Sequence, residues 1–184
     1  MKKLLLISLS VFAASAHADD KKFYAGGGIG VWNFKESGYD NLYKLSSVEA
    51  LAGINVWKMI NIEGRVGVGL ESSTATAKTE PTNNKATVGL PTEVNLDNYA
   101  SLYIKPELKN DIAKLYGLVG VTQLNASSSN KSADTALDLS GLSFGAGMGF
   151  QLSETAVINL EYLRLVQEGK YRFSGVNLGF NIGF

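Results

Sequence analysis

The sequence predicts an all-β fold: an eight-stranded antiparallel transmembrane barrel with up-and-down topology, short turns at one end and longer loops at the other. Three observations carry this expectation. Eight segments alternate apolar side chains with small or polar ones, the period of a strand whose two faces meet different surroundings. No segment beyond the N-terminal leader is long and apolar enough to cross a membrane as a helix. In lipid only helices and closed barrels satisfy every backbone polar group, so alternating segments without spanning helices must close on themselves.

The elements follow in order. The first strand, about Phe23 to Asn33, sets Phe23, Ala25, Gly27, Ile29 and Val31 against Tyr24, Gly26, Gly28 and Gly30. The second, about Ser47 to Trp57, groups Val48, Ala50, Ala52, Ile54 and Val56 against Glu49, Gly53 and Asn55; Lys58 to Ile60 then turns the chain. The third, about Asn61 to Glu71, carries Ile62, Val66, Val68 and Leu70 outward and Glu63, Arg65, Gly67 and Gly69 inward. A polar stretch, Ser72 to Asn95, reads as a long loop. The fourth strand, about Leu96 to Leu108, opposes Ala100, Leu102, Ile104 and Pro106 to Ser101, Tyr103, Lys105 and Glu107, with Pro106 near its end because proline cannot donate to a ladder.

Asn110-Asp111 marks a tight turn. The fifth strand, about Ala113 to Gln123, alternates less cleanly, and Asn125 to Asp138 reads as a second polar loop. The sixth is the clearest: Leu142, Phe144, Ala146, Met148, Phe150 and Leu152 face out, and Ser143, Gly145, Gly147, Gly149 and Gln151 face in. Ser153-Glu154 turns into the seventh, about Ala156 to Val166, with Ile158, Leu160 and Tyr162 out and Asn159 and Glu161 in; a loop at Gln167 to Lys170 leads to the last strand. That strand places Val176, Leu178, Phe180, Ile182 and Phe184 on one face and Asn177, Gly179, Asn181 and Gly183 on the other. A soluble barrel would turn its apolar face inward. Short connections alternating with long ones fit the two sides of an outer-membrane barrel, short turns in the periplasm and long loops outside.

Residues 1–18 have the form of a cleaved secretory signal peptide: Lys2 and Lys3, an apolar run from Leu4 to Ala14, then Ala16-His17-Ala18. The barrel domain is expected to be 19–184. Removing Lys2 and Lys3 from 17 basic residues leaves 15 against 17 acidic ones, a net charge of −2. The basic residues are scattered, so no footprint for nucleic acid is present. There is no cysteine, and the one histidine, His17, lies in the leader. Histidine-dependent nucleophilic catalysis and Cys/His zinc sites are thereby excluded from the barrel domain.

The C-terminal residues Asn177, Gly179, Ile182 and Phe184 resemble the terminal signal (polar, any, Gly, any, any, apolar, any, aromatic) with which bacterial outer-membrane barrels engage the barrel insertion machinery. Four further stretches resemble the small OmpA/OmpX-like barrel family: Phe23 to Gly28, Ala52-Gly53-Ile54-Asn55 leading to Ile62-Glu63-Gly64-Arg65, Leu102 to Leu108, and Leu160-Glu161-Tyr162. The resemblance implies eight strands, residence in the outer membrane of a Gram-negative bacterium after passage through the periplasm, contact with outer-membrane lipid, and no cofactor. It also implies a role without enzymatic activity, structural or surface-interacting, as in adhesion or contact with a host ligand through the extracellular loops. A narrow pore for ions or small solutes is the alternative.

Parity sends one charged set inward: Glu49, Glu63, Arg65, Lys105, Glu107 and Glu161. An eight-stranded barrel is just wide enough for side chains to fill, and a buried charge without a partner is costly, so these residues are expected to pair into a lumen network. Glu63 and Glu161 as a general acid–base pair lack a place for substrate. The inner glycines follow strand parity with no helix after them, which favours close packing over a phosphate loop. Phe23, Trp57, Tyr99, Tyr162, Tyr171 and Phe184 are expected in interfacial girdles. Trp32 points inward by parity, with no role that the sequence assigns. Among the loops only Glu36 to Lys44, with Tyr39 and Tyr43, has a composition suited to contact.

Overall fold

The computed structural model describes residues 22–36, 42–71, 73–74, 93–109, 112–130, 133–169 and 171–184. The leader, the Asn110-Asp111 turn, Tyr39 and most of the Ser72 to Asn95 stretch lie outside them. The strands are β1 (Phe23–Glu36), β2 (Leu42–Trp57), β3 (Ile60–Gly69), β4 (Ser73–Thr74), β5 (Glu93–Lys109), β6 (Ala113–Asn130), β7 (Ala133–Gln151), β8 (Ala156–Glu168) and β9 (Tyr171–Gly183). Each pairs antiparallel with its neighbours; β9 returns to β1, and β3 pairs with β5, which closes the ring. β4 is a two-residue rung against Val94 and Glu93, so eight strands form the wall.

The chain closes in this way because both faces of each strand find a suitable environment. Outward residues such as Ile29, Leu102, Ile104, Val119, Leu178 and Phe180 are about half exposed and form an apolar belt. Lipid covers such a belt, and the closed ladder leaves no edge within it. Pro106 faces outward on β5, three residues before the strand ends, as its missing donor requires. The start of β1 and the end of β9 lie at one mouth, where Phe23 and Phe184 exchange backbone hydrogen bonds at 3.1 and 2.8 Å and stack at 6.5 Å. Trp57 is exposed at the same end, and Tyr162 is exposed on β8 beside Val176 at the opposite margin of the belt. The Ser153 hydroxyl accepts from the Thr155 and Ala156 amides and shapes the turn between β7 and β8.

The wall continues beyond the belt, and there its polarity inverts. Asn33, Lys35, Lys44, Ser46, Gln123, Asn125, Asp138, Ser140, Arg172 and Ser174 take the outward positions. The inward positions carry Trp32, Phe34, Tyr43, Leu45, Val94, Leu96, Leu124, Ala126, Leu139, Leu163, Leu165 and Phe173, all buried in one core. This upper section therefore has the pattern of a water-exposed barrel, apolar inside and polar outside, stacked on a section with the membrane pattern.

The inversion corrects four expectations. Asn125 to Asp138 is not a loop: β6 and β7 run on as a paired ribbon to Asn130 and Ala133. Its serines, alanines and asparagines read as loop-like because outward positions above the lipid need no apolar residues. Gln167 and Glu168 likewise belong to β8, and Gly169 takes a left-handed φ of 54° in the turn that follows; Lys170 lies outside the described residues. Tyr43 does not sit in a contact loop; it is an inward residue of β2, buried against Phe34 at 5.7 Å. Tyr99 is not in an interfacial girdle either but faces the lumen, 2% exposed. Tyr99 continues the inward parity of Ser101, Tyr103 and Lys105, and a bulge between Leu96 and Asn98 lets Leu96 face inward as well, a shift of parity that alternation alone does not reveal.

Trp32 gains a role in the same core. Its indole nitrogen donates to the Ser47 hydroxyl at 2.7 Å, and its ring meets Tyr99 edge-on at 6.0 Å. Tyr171 is partly buried and stacks on Phe34 at 5.7 Å, rather than sitting in the lipid interface.

Candidate functional site

Below the apolar core, parity and register bring charged side chains from separate strands to one level. Arg65 of β3 is the hub. Its Nε donates to Glu63 Oε1 at 2.7 Å, and its two terminal nitrogens reach the two Glu161 oxygens at 2.6 and 2.9 Å. One of them also meets Glu49 Oε1 at 3.2 Å. This is the planar fork of a guanidinium matched to carboxylates, a geometry that lysine would not reproduce. Lys105 donates to Glu63 Oε2 at 2.9 Å and lies over the Tyr116 ring at 4.1 Å. Glu107 stands apart, 3.7 Å from Lys114 near the mouth where β1 starts and β9 ends.

Tyrosines complete the cluster, and the sequence reading did not assign them to it. Tyr24 donates to Glu63, Tyr99 to Glu49 and Tyr116 to Glu161, at 2.7, 2.7 and 2.8 Å. Each of the three buried carboxylates thus has its own phenol besides Arg65. Asn177 donates to both Glu49 and Glu161, so the C-terminal strand is tied to the cluster as well. A carboxylate taken from water needs such donors around it, since an unmet buried charge costs several kcal/mol by order of magnitude.

The tyrosines fit because each has a glycine directly opposite it on the adjacent strand. The pairs are Tyr24 with Gly53, Tyr99 with Gly67, Tyr103 with Gly120 and Tyr116 with Gly147. A Cβ on Gly147 would come within 2.6 Å of the Tyr116 ring and 2.8 Å of Glu161, and a Cβ on Gly53 or Gly67 would run into the facing tyrosine. The inner glycines therefore make room for rings. In the sequence the available signal was an inward tyrosine paired with an inward glycine, but matching them requires the register across the Ser72 to Asn95 stretch.

A neutral chain of hydroxyls lies alongside. Ser101 and Thr122 are 2.7 Å apart, Tyr103 and Ser143 are 2.7 Å apart, and Ser143 donates to the Arg164 carbonyl at 2.8 Å. The lumen is thus filled in two tiers: a salt-bridged cluster beneath and a packed apolar core above. Among the described residues no group of carboxylates is arranged to hold a metal ion. Glu63 and Glu161 each bond Arg65 and a tyrosine inside this packing, which leaves no space for a substrate between them. Of the terminal residues, Gly179 and Ile182 sit in the β9 ladders and Phe184 stacks on Phe23.

Residues 4–184 match the family described as the outer membrane protein beta-barrel domain. The chain belongs to that family. It is accordingly an outer-membrane β-barrel set in lipid, in a Gram-negative context. Among solved structures it is similar to Ail, the attachment invasion locus protein of Yersinia pestis, at 18% identity over 90% of this chain and 100% of that one, with a TM-score of 0.61. Neisserial surface protein A is similar at 11% identity, over 91% of this chain and 100% of that one, with a TM-score of 0.64. The N-terminal barrel of Pseudomonas aeruginosa OprF matches at 11% identity over 86% of this chain and 97% of its own length, with a TM-score of 0.56. At these identities the likeness is one of fold. No curated protein matches the chain in sequence.

Proposed function

We propose that this barrel is a non-enzymatic, non-conducting surface protein whose role is to hold an extracellular β-ribbon and loops rigidly for contact with a partner. The observation that carries this reading is the doubly filled lumen. Solutes would have to pass Arg65 with its three glutamates, and then a core in which Trp32, Phe34, Leu163 and Phe173 have no exposed surface. The filled interior supports a scaffold, and it counts against a pore and against buried catalysis.

The tall wall above the belt supports contact as its purpose. There the outward residues Lys35 and Arg172 face each other across β1 and β9, and Arg164 lies over Phe144 at 4.8 Å on β8. This places a local pair of positive charges on the β1–β9 side of the outer lip, suited to a polyanionic partner, while Asp97, Asp138 and Glu168 carry negative charge elsewhere on it. A structure of Ail has been solved with the heparin analogue sucrose octasulfate. For the present chain a sulfated glycan on a host surface is the ligand class we would test first.

The test is adhesion of cells displaying the full chain to heparin-coated and host-cell surfaces. Replacing residues 127–136 with a two-residue turn, or making the K35Q/R172Q pair, should lower attachment at least severalfold while surface display stays unchanged. Equal attachment by both variants would sink the contact role.

A further inference from the structure

The mouth at the start of β1 and the end of β9 opens into a cavity of about 1140 Å³, which Tyr24, Lys105 and Tyr116 of the cluster help to line. Five lysines line it (Lys22, Lys58, Lys105, Lys109 and Lys114) against two carboxylates, Glu107 and Glu154. Glu63 takes up the charge of Lys105 at 2.9 Å, and Lys114 reaches Glu107 only at 3.7 Å. Lys58 and Lys109 have no ion-pair partner among the described residues. Lys109 stands directly opposite Lys114 across the β5–β6 ladder, and β5 parity sends Lys105 to the same side.

Like charges placed directly opposite each other in a sheet destabilise it. Here such a pair is held at the rim of a blind aqueous cup whose walls are backed by lipid. Low-dielectric walls concentrate the field of charges that line a cleft, so the cup attracts anions more strongly than the same lysines would on an open surface. The amides of Asn159 and Asn181 add neutral hydrogen-bonding groups to its wall.

We propose that this vestibule binds a phosphate-bearing anion, held by Lys109 and Lys114 and assisted by Lys58. Ammonium groups on flexible stems suit a multiply charged anion with several oxygens, since each acts as a separate point charge. The packed core closes the far side, so the anion enters and leaves by this mouth alone. The site is independent of the surface-contact role, because it lies at the opposite end of the barrel.

Inorganic pyrophosphate is the probe. The refolded chain in zwitterionic micelles, at fixed ionic strength, is titrated by calorimetry and by NMR of the lysine side chains. Saturable binding is expected, with shifts at Lys109, Lys114 and Lys58 and none at Trp32. The K109Q/K114Q variant should bind at least tenfold more weakly, while K35Q/R172Q at the far mouth binds as the parent does. Heat-shifted gel mobility establishes that each variant is folded. In the absence of the probe, K109Q alone should melt no lower than the parent, since it removes the Lys109–Lys114 repulsion and leaves the Lys114–Glu107 pair in place.

Nanodiscs distinguish the two sources of phosphate. Weaker apparent pyrophosphate binding in phosphatidylglycerol than in phosphatidylcholine discs would assign the site to a lipid headgroup, and equal binding to a soluble anion; either supports the proposal. Absence of saturable binding to the folded parent would overturn it. So would undiminished binding by K109Q/K114Q, or equal weakening in K35Q/R172Q.

Discussion

Replacing Arg65 with leucine is expected to lower the unfolding free energy by about 3–5 kcal/mol, the usual cost of removing one partner from a buried ionic cluster. Arg65 is the one residue that bonds Glu49, Glu63 and Glu161 together. Without it, three carboxylates share Lys105, which bonds Glu63 only. Three phenols and Asn177 remain as donors, but they supply no charge. The measurement is urea unfolding of the refolded chain in a fixed detergent, followed by gel mobility. The decisive companion is a variant that also removes the stranded charge, R65L/E49Q/E161Q. It should recover much of the loss, because replacing a whole buried ionic group is often close to neutral. If R65L alone unfolds like the parent, the cluster does not hold the barrel together.

The upper tier gives the second large effect. Trp32→Ala should cost about 3–5 kcal/mol, the range for removing a large aromatic from a packed core. It leaves a cavity beside Tyr99 and takes away the donor to the Ser47 hydroxyl. The protein has two tryptophans, and the other provides the control. Trp57 lies 74% exposed at the opposite rim, so Trp57→Ala should lose markedly less. Equal losses from both would mean that the interior above the cluster is not a packed core. Fluorescence provides a second readout: in the Trp57→Ala variant the remaining emission should be shielded from a water-soluble quencher.

Much of this architecture is legible in the sequence, for a specific physical reason. Lipid on one side and a narrow lumen on the other impose a period of two, and that period survives in Leu142 to Leu152 and in Val176 to Phe184. The same parity directs Glu49, Glu63, Arg65, Lys105 and Glu161 inward, where the structure brings them to one level. Parity says which face a residue occupies but not its height, and so it does not separate these five from Glu107, which stands nearer the mouth. Height requires the register, and the register between β3 and β5 is hidden by the long stretch that joins them.

The upper section is less legible because the same alternation carries the opposite meaning outside the membrane. Ser127, Ala136 and Asp138 look like loop residues to a reader expecting apolar outward positions, yet they lie in a continuous ladder. Tyr43 and Tyr99 look like surface aromatics near strand ends until the wall is seen to extend past them. A paired test for such sections follows: inward positions should turn apolar where outward ones turn polar, as Phe34 and Lys35 do, and Leu45 and Lys44.

The central claim is that the lumen is closed, and planar-bilayer recording of the refolded chain tests it most directly, with heat-shifted mobility establishing that the protein inserted is folded. A silent bilayer under applied voltage is the predicted result. Stable, reproducible conductance steps, with an ion selectivity that changes when Arg65 or Lys105 is neutralised, would contradict it and make the barrel a pore.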